Sequence, residues 1–337
     1  MILVTGGTGL VGTHLLMNLL EEKTPIRAIY RSDQSLEKAR KIFSFYNIDW
    51  HLVLQKVEWV KSDILNPEKL TDVFHDVDYV YHCAAMVSFN KKDKHKLFKF
   101  NIEGTANIVN LSLEYGVKKL CHVSSTATIG KAANGGVRNE ECMWENNKSL
   151  SNYSVSKYFS EMEVWRGSEE GLNVVIVNPS IIIGPGDWNQ SSSNLFLKVW
   201  KGLRYYSKGV NAFVDVRDVS KVMVQLMKSS IKSERFLIIG ENLTFQELFN
   251  EIANSMGKKL PSIEVKSWMA NLIWRIEAIR SFLFGSDPLV TREASKSALN
   301  VVKYSNQKIR EFLDFEITPI HESIEHTSSI FLRDYSS

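Results

Sequence analysis

The sequence predicts an α/β protein, in which a doubly wound parallel sheet is joined to a smaller, mostly helical C-terminal cap. Three observations on the 337-residue chain lead to this fold class. Short β-rich runs alternate with segments of helical periodicity through the first two-thirds of the chain, a glycine-rich turn follows the first run, and the chain becomes loop-like after Pro179. Alternation in units of this size favours parallel strands that are covered by helices on both faces.

Six strands are predicted in the first part of the chain. They are ILVT, IRAIY, VEWVKSD, VDYVYHCAA, KLCHVSS and NVVIVNPS. Apolar residues at helical spacing predict helices between them, in LVGTHLLMNLLEE, residues 35–46, NIEGTANIVNLSLEYG and VSKYFSEMEVWRGSEE.

The residues beyond Pro179 are expected to complete the sheet and to form the cap. IIIGPGDWNQSSSN is rich in glycine, proline and small polar residues and is predicted as a loop or lid, whereas AFVDVRDVSKVMVQLMKS and RFLIIG predict a strand, a helix and a strand that return to the sheet. From Thr244 onward the chain is predicted mostly helical. We therefore expect two units, residues 1–182 with about 212–240 around the sheet, and residues 183–211 with 241–337 as a substrate-binding cap.

The composition is that of an ordinary globular protein and excludes several classes of function. A net charge of +3 with 23% charged residues is too close to neutral to indicate a nucleic-acid partner. No uncharged apolar run reaches the ~18 residues that a transmembrane helix needs, and ILVTGG follows Met1 without room for a secretion signal. The spacing of the three cysteines and eight histidines shows no metal site. The three cysteines cannot all pair with one another, so a reducing, cytoplasmic location is expected.

The glycine-rich turn VTGGTGLVG predicts a dinucleotide site of the Rossmann type. Its glycines permit a tight turn, close approach of a pyrophosphate, and close packing of the first helix on the first strand. The N-terminus of that helix offers free N–H groups and the positive end of its dipole to the anion. The residues expected at the cofactor are Gly6, Thr8, Gly9, Leu10, Val11 and Gly12.

The end of the second strand, YRSD, favours NADP(H), with NAD(H) as the alternative. Arg31 and Ser32 could donate hydrogen bonds to a 2′-phosphate, and the acidic residue that would accept from a free 2′-hydroxyl, Asp33, comes only later. Further cofactor contacts are expected after the third and fourth strands, at Asp63, Ile64, Ala84 and Ala85.

Three tyrosine–lysine pairs with helical i, i+4 spacing occur, and only one is placed for catalysis. The pair within residues 115–119 lies at the opposite edge of the predicted sheet, and the pair within 304–308 lies in the cap. Tyr153 and Lys157 open the helix between the fifth and sixth strands, where ligands of parallel sheets bind. Ser125, at the end of the fifth strand, is predicted to reach the same space.

These three residues suit the reduction of a carbonyl. Hydride addition leaves an alkoxide that needs a proton, and Tyr153 could donate it, although a tyrosine pKa of ~10 is high for the reverse reaction. We expect the Lys157 ammonium to lower that pKa and Ser125 to hold the substrate oxygen. Three neighbouring hydroxyl groups could take the role of Ser125, namely Ser124, Thr126 and Thr128.

A set of motifs relates the chain to a known family. They are TGGTGLVG, YHCAA, NIEGT, VSSTATIG, YSVSK, NPSIIIGPGD, FVDVRDV and DPLVTREA, in this order along the chain. With them the chain resembles the extended short-chain dehydrogenases/reductases of the NAD-dependent epimerase/dehydratase superfamily. The resemblance is strongest to the dihydroflavonol reductase-like branch, which is related to 3β-hydroxysteroid dehydrogenases.

The resemblance implies roles for several further residues. Asn101 would be a structural or relay partner of the catalytic set Ser125, Tyr153 and Lys157. Pro179 and Ser180 would border the nicotinamide. Two aspartates of FVDVRDV, Asp215 and Asp218, would fix a loop.

We therefore expect an NADP(H)-dependent oxidoreductase that reduces a carbonyl of a fairly apolar small molecule, or oxidises the alcohol. Substrate contacts are expected from Met86, Thr128, the loop 184–211 and the cap. A nucleotide-sugar epimerase with tightly held NAD, or a non-catalytic NAD(P)-sensing protein, are the alternatives. SSTATIG lacks the Asp-Glu of the nucleotide-sugar dehydratases that the family also contains, and helices beside the sheet could pair in a homodimer.

The interpretation of two further stretches, one charged and one amphipathic, is less specific. KKDKHKLFKF (91–100) is predicted as a solvated helix face, with attraction of an anionic substrate as the alternative. WMANLIWRIEAIRSFLF (268–284) is amphipathic and is expected to pack in the cap or to cover the substrate.

Overall fold

A computed structural model of the chain describes residues 1–132, 135–146, 150–269, 272, 274, 298–313 and 315–335. Its strands are β1 Ile2–Thr5, β2 Ile26–Tyr30, β3 Val57–Lys61, β4 Tyr79–His82, β5 Lys119–Val123, β6 Val174–Pro179, β7 Ile181–Ile183, β8 Tyr205–Tyr206, β9 Val210–Asp215, β10 Glu234–Ile238, β11 Glu241–Thr244 and β12 Ile263–Glu264. Its helices are α1 Leu10–Leu19, α2 Asp33–Phe45, α3 Trp50–Lys56, α4 Pro67–Val73, α5 Lys94–Phe98, α6 Gly104–Glu114, α7 Asn152–Glu169, α8 Asn194–Trp200, α9 Val216–Lys228, α10 Phe245–Ser255, α11 Gln307–Phe312 and α12 Ile320–Tyr335. Short 3₁₀ turns span Lys91–Asp93 and Thr126–Thr128, and a π-helical turn spans Lys99–Glu103.

The central sheet has seven parallel strands in the order β10-β6-β5-β4-β1-β2-β3, which confirms the predicted fold class. The direction of winding reverses between β1 and β4, so a crevice opens beyond the carboxyl ends of these two strands. The six strands predicted in the first part of the chain all occupy this sheet, joined by β10 at its edge.

Both faces of the sheet are covered because alternate residues of each strand point to opposite sides. Val4 of β1 packs in the core formed with α1 and α9, which includes Leu16 and Val219. Leu3 packs in the opposite core with α4, α6 and α7, which includes Val164. This two-sided burial explains why the strands are almost continuously apolar in sequence.

The region after β6 differs from the prediction. Residues 181–183, expected in a loop or lid, form β7, and β9 pairs with β7 and β11 in a separate three-stranded sheet. Of the two strands expected to return to the central sheet, only β10 does so. The short helices α3 and α4 were not predicted, although Asp49 and Asn66 cap their N-termini.

The C-terminal part packs beside this second sheet through α8, α10 and α12. Its apolar core includes Phe196, Phe213, Ile252 and Phe331. Most of the stretch 268–284 and all of DPLVTREA lie outside the described residues, so the expectations for them stay predictions, as does the proposed division into two units. Within the described ranges no helix is both long and apolar enough to cross a bilayer.

Candidate active site

A cleft of about 1990 Å³ is lined by residues that follow the carboxyl ends of the central strands. It contains every predicted site residue except Thr128: Gly6, Thr8, Gly9, Leu10, Val11, Gly12, Arg31, Asp63, Ile64, Ala84, Ala85, Met86, Ser125, Tyr153, Lys157, Pro179 and Ser180. The topology therefore brings together residues that are distant in sequence.

The glycine turn forms a cradle that any side chain would fill. Gly6 has φ +67°, and a Cβ there would lie 2.6 Å from the backbone nitrogen of Ala84. A Cβ on Gly12 would lie 2.2 Å from the carbonyl oxygen of Gly6. Gly9 precedes α1 without a side-chain hydrogen bond to the helix N-terminus, which suits an anion such as a pyrophosphate.

The end of β2 presents a cation to the cleft. Arg31 is exposed, and its guanidinium carbon lies 5.9 Å from the ring centroid of Phe100. Asp33 is the residue that kept NAD(H) as an alternative in the sequence analysis. Its carboxylate lies 3.1 Å from the Lys61 ammonium. Ser32 lines the cleft while its hydroxyl oxygen accepts from the Ser35 amide at the start of α2.

The segment after β3 is held against α6. The Asn107 side chain donates to the carbonyl of Ile64 at 2.8 Å, and the carboxylate of Asp63 accepts from the Leu65 amide at 3.0 Å. A Cβ on Gly104 would lie 2.5 Å from the Ile64 side chain, so that side chain packs directly on the helix start. Ile64 thereby offers a fixed apolar surface on one side of the cleft.

One cationic residue of the cleft was missed in the sequence. Lys38 lies on α2, lines the cleft and forms a 2.8 Å ion pair with Asp187. Its position two helical turns beyond Arg31 places it on the cleft side of α2, but a lysine on an amphipathic helix carries no sequence signal of its own.

Tyr153 and Ser125 meet in the cleft. Both side chains line it, and the Ser125 hydroxyl lies close enough to act on the Tyr153 phenol, although Ser125 follows β5 and Tyr153 begins α7. Lys157 is fully buried one turn further along α7 and donates to the carbonyl oxygen of Val123 at 2.8 Å. The predicted trio therefore converges, and its catalytic roles stay a prediction.

The charge states of the trio differ from the expectation. Burial raises the pKa of Tyr153 above its usual value, and the hydrogen bond from Ser125 only partly offsets this. Burial also lowers the pKa of Lys157 to about 8, against the opposing attraction of Glu161 and Cys83. The expectation that Lys157 lowers the pKa of Tyr153 is therefore wrong for the protein alone, because burial raises that pKa and Ser125, not Lys157, is the group that opposes it.

The geometry separates Ser125 from the neighbouring hydroxyls. Ser124 donates to the carboxylate of Glu161 at 2.5 Å, and Thr128 lies 2.8 Å from the same oxygen. Thr126 is hydrogen-bonded to Tyr304. Thr128 has no exposed surface and does not line the cleft, so its expected contact with substrate is wrong.

Asn101 has the contacts of a structural residue. It is buried in the π-helical turn, and its side chain bonds both the N–H and the carbonyl of Met86, at 2.7 and 3.0 Å. It also donates to Ser156 of α7 at 3.0 Å. These bonds fix the segment after β4, including Met86, above the start of α7. The π-helical turn that carries Asn101 is itself of a kind that often occurs at functional sites.

The far end of the cleft is largely apolar. Its wall includes the side chains of Met86, Val87, Phe89, Leu203, Tyr205, Tyr206, Phe245, Phe249 and Leu299. The Phe89 ring meets the Tyr153 ring edge-on, with centroids 5.7 Å apart. Such a wall favours a ligand with apolar surface over a heavily hydroxylated one.

Tyr304 also belongs to this wall. Its distance in sequence from the glycine turn had suggested a place in the cap, away from the site. Its hydroxyl is hydrogen-bonded to Thr126 and Arg138. Lys308, four residues later in α11, lies 2.5 Å from Glu234, and Lys119 of the third pair donates to the carbonyl of Leu226. Both lysines are therefore bound to groups other than the tyrosine of their pair.

The remaining motif residues also have defined contacts. Asp215 caps α9 and binds the Arg217 guanidinium at 2.6 Å, and Asp218 accepts from the amide and hydroxyl of Thr318. Both aspartates therefore hold segments in place. Of the lysine-rich stretch, only His95, Lys96, Lys99 and Phe100 line the cleft, and its lysines are exposed.

The residues of the cleft fit a nicotinamide dinucleotide. The glycine cradle leaves room for a pyrophosphate beside the helix N-terminus, and Arg31 and Lys38 lie at the end of the cleft expected for the adenosine. Ser180 carries a buried hydroxyl that has no hydrogen-bond partner among the described residues and lies in the cleft wall. A polar ligand group would satisfy it.

Two curated proteins from other organisms are similar to most of this chain. A protein of Synechocystis sp. named as a candidate dihydroflavonol 4-reductase is 27% identical over 329 residues, covering 95% of this chain and 91% of that protein. The 3beta-hydroxysteroid-dehydrogenase/decarboxylase isoform 1 of Arabidopsis thaliana is 24% identical over 301 residues, covering 82% of this chain and 67% of that protein.

Among solved structures, UDP-glucose 4-epimerase from Thermotoga maritima superposes with a TM-score of 0.77 at 20% identity and covers 99% of both chains, a likeness that shows the fold alone. The chain matches the NAD dependent epimerase/dehydratase family over residues 2–240. It therefore belongs to that family, the extended short-chain dehydrogenases/reductases, and is an NAD(P)-dependent enzyme of the dehydrogenase and reductase type.

Proposed function

We propose that the protein reduces the carbonyl of a fairly apolar small molecule with NADPH, or oxidises the corresponding alcohol with NADP⁺. The observation that carries this proposal is the convergence of the Tyr153 phenol and the Ser125 hydroxyl in the same cleft as the glycine cradle. A proton donor and an oxygen-binding hydroxyl beside a dinucleotide site are the groups that hydride transfer to a carbonyl requires.

The residues divide the chemistry among them. A bound nicotinamide supplies the hydride or accepts it. Ser125 donates a hydrogen bond to the substrate oxygen and Tyr153 donates the proton that neutralises the developing alkoxide. Lys157, fixed by its bond to the Val123 carbonyl, provides the nearby positive charge that stabilises the phenolate after proton transfer.

Two observations support NADP(H) over NAD(H). Arg31 stands free to pair with a 2′-phosphate, and a guanidinium matches phosphate oxygens well. Asp33, the residue that would bind a free 2′-hydroxyl, is turned to Lys61. We propose that Lys38 adds a second positive charge at this end of the cleft, with Asp187 setting its position.

The substrate class follows from the apolar wall. Aromatic and aliphatic side chains make up much of the cleft lining outside the dinucleotide residues, beside polar ones such as Gln190 and Asn211, and burial of a flat or alicyclic apolar substrate against them releases water. The names of two relatives, a dihydroflavonol reductase and a hydroxysteroid dehydrogenase, also refer to ring compounds.

The test combines binding and turnover. We expect NADPH to quench intrinsic fluorescence and to raise the melting temperature at lower concentration than NADH does. A panel of aryl and alicyclic ketones and aldehydes is then screened for NADPH oxidation by absorbance. Tighter binding of NADH, or binding of neither, would overturn the cofactor assignment.

The panel also separates the enzyme from its alternatives. Cofactor that stays bound through purification, with no net NADPH oxidation, would replace the proposal by an epimerase, which returns the hydride to its own substrate. Tight NADPH binding without turnover of any carbonyl, unaffected by substitution of Tyr153, would replace it by a non-catalytic cofactor-binding protein.

A further inference from the structure

A buried carboxylate lies directly behind the proposed catalytic trio. Glu161 sits on α7 one turn after Lys157 and has no exposed surface. One of its oxygens accepts from Ser124, Thr128 and Asn178 at 2.5–2.8 Å. Burial of a carboxylate has a large cost in free energy unless hydrogen-bond donors surround it. The donors around Glu161 offset that cost.

The other carboxylate oxygen binds groups on different elements. The Arg235 guanidinium of β10 lies 3.2 Å away and the indole N–H of Trp165 lies 3.4 Å away. Glu161 therefore joins α7, the ends of β5 and β6, and the edge strand β10 in one polar network.

The network encloses the turn that carries Ser125. Ser124 and Thr128 flank this turn, and both bind Glu161. The Asn178 amide also lies 3.2 Å from the carbonyl oxygen of Ser125. The backbone of Ser125 is thus fastened on both sides, which leaves its side chain directed to Tyr153.

The same carboxylate belongs to the residue one helical turn after Lys157, on the same side of α7. Its attraction opposes the desolvation that lowers the pKa of Lys157 to about 8. The other groups that act on the ammonium are His82 at the end of β4, Cys83 directly after it and His122 on β5, while Arg235 on β10 pairs with Glu161 itself. Both oxygens of the Glu161 carboxylate accept from donors on neighbouring elements.

We propose that Glu161 is a positioning residue of this enzyme, which holds the Ser125 turn against α7 and keeps Lys157 in its ammonium form. The catalytic consequence of this inference rests on the proposed function. The effect on Lys157 follows from the place of Glu161 one turn further along α7, and it can be measured without substrate.

The central variant is Glu161→Gln, and Glu163→Gln is the matched control. Glutamine keeps the size of the side chain but removes the charge and turns one acceptor into a donor that faces Ser124 or Arg235. Glu163 lies on the same helix and pairs with Arg166 at the surface, away from the network. Circular dichroism and melting curves establish that both variants are folded.

The first readout is the titration of Lys157, followed by NMR of protein with isotope-labelled lysine and assigned by its absence in Lys157→Met. Loss of the nearby charge should lower the midpoint by about one pH unit or more, whereas Glu163→Gln should leave it unchanged. The second readout is the pH profile of kcat, whose basic limb should move down by the same amount while KM for NADPH stays the same.

A second variant protects the test against a failure to fold. Arg235→Gln removes the cation that offsets Glu161, so the Lys157 midpoint should move up, opposite to the first variant. A Lys157 titration unchanged in folded Glu161→Gln, or in Arg235→Gln if the former is unfolded, would overturn the inference. Absence of any NADPH-dependent turnover in the wild type would instead overturn the proposed function and leave the NMR result to stand.

Discussion

The glycine cradle makes a prediction whose size follows from the backbone geometry. In Gly12→Ala the new Cβ would lie 2.2 Å from the carbonyl oxygen of Gly6 and 2.9 Å from the Cα of Gly7. Both neighbours are backbone atoms, so the turn or the start of α1 must move by about 1 Å to restore contact distance.

The expected cost is about 1–3 kcal/mol in the free energy of unfolding, which is usual for an added methyl group in a tightly packed site. For a chain of this size that loss lowers the melting temperature by roughly 1–4 °C. Displacement of the helix N-terminus should also weaken NADPH binding about tenfold or more, because charge-assisted hydrogen bonds to the phosphates are lost.

Gly9→Ala is the matched control for this argument. A Cβ at position 9 would lie 3.4 Å from the Gly6 carbonyl oxygen, an ordinary contact, and Gly9 has φ −88°, which alanine adopts freely. Its stability should stay within about 0.5 kcal/mol of wild type. Melting curves of both apo-proteins by differential scanning calorimetry decide the matter, and equal melting temperatures for Gly12→Ala and wild type would refute the reasoning.

Three further outcomes are expected. Tyr153→Phe should keep the affinity for NADPH while kcat falls about 100-fold or more, since a general acid is lost, and unchanged turnover in steady-state assays would reject the proton-donor role. Arg31→Leu should weaken NADPH about 10- to 100-fold and leave NADH unaffected in fluorescence titrations, whereas equal losses for both would place Arg31 away from the phosphate. Burial lowers the folded-state pKa of His122 well below 6.5, so the unfolded chain takes up a proton first and stability is lost as pH falls below about 6.5. His122→Leu should therefore reduce the stability lost between about pH 7 and pH 5, measured by urea unfolding, by about 2 kcal/mol, and an unchanged loss would assign the acid sensitivity to other groups.

The sequence allowed the central sheet to be predicted because its signals are local. Strand, glycine turn and helix follow one another in β1 and α1, and the burial of β1 on both faces produces an apolar run that pattern analysis detects. The pairing of β9 with β7 is different. Its apolar pattern is equally typical of a strand in either sheet, and only tertiary packing decides which neighbour it takes.

The candidate site shows the same division. The topology rule placed Ser125 and Tyr153 at one edge of the sheet, and the structure brings them together. Side-chain direction could not be predicted, because Thr128 turns inward to a carboxylate that lies on another helix. The pKa of Tyr153 was misjudged for a related reason, since motif analysis counts the nearby lysine and does not see how deeply the phenol is buried.

The layer beneath Lys157 links the stability of the fold to the charge of the site. His82 and His122 lie side by side on β4 and β5 with ring centroids 5.1 Å apart, and burial lowers the pKa of His82 to about 3. The Lys157 ammonium lowers both histidine pKa values further by repulsion, so the two rings stay neutral wherever Lys157 is charged. Protonation of either ring would place a second buried cation beside that ammonium. Part of the acid sensitivity of the folded protein therefore arises at the same strand ends that hold the proposed catalytic lysine, and removing the Glu161 charge should increase it.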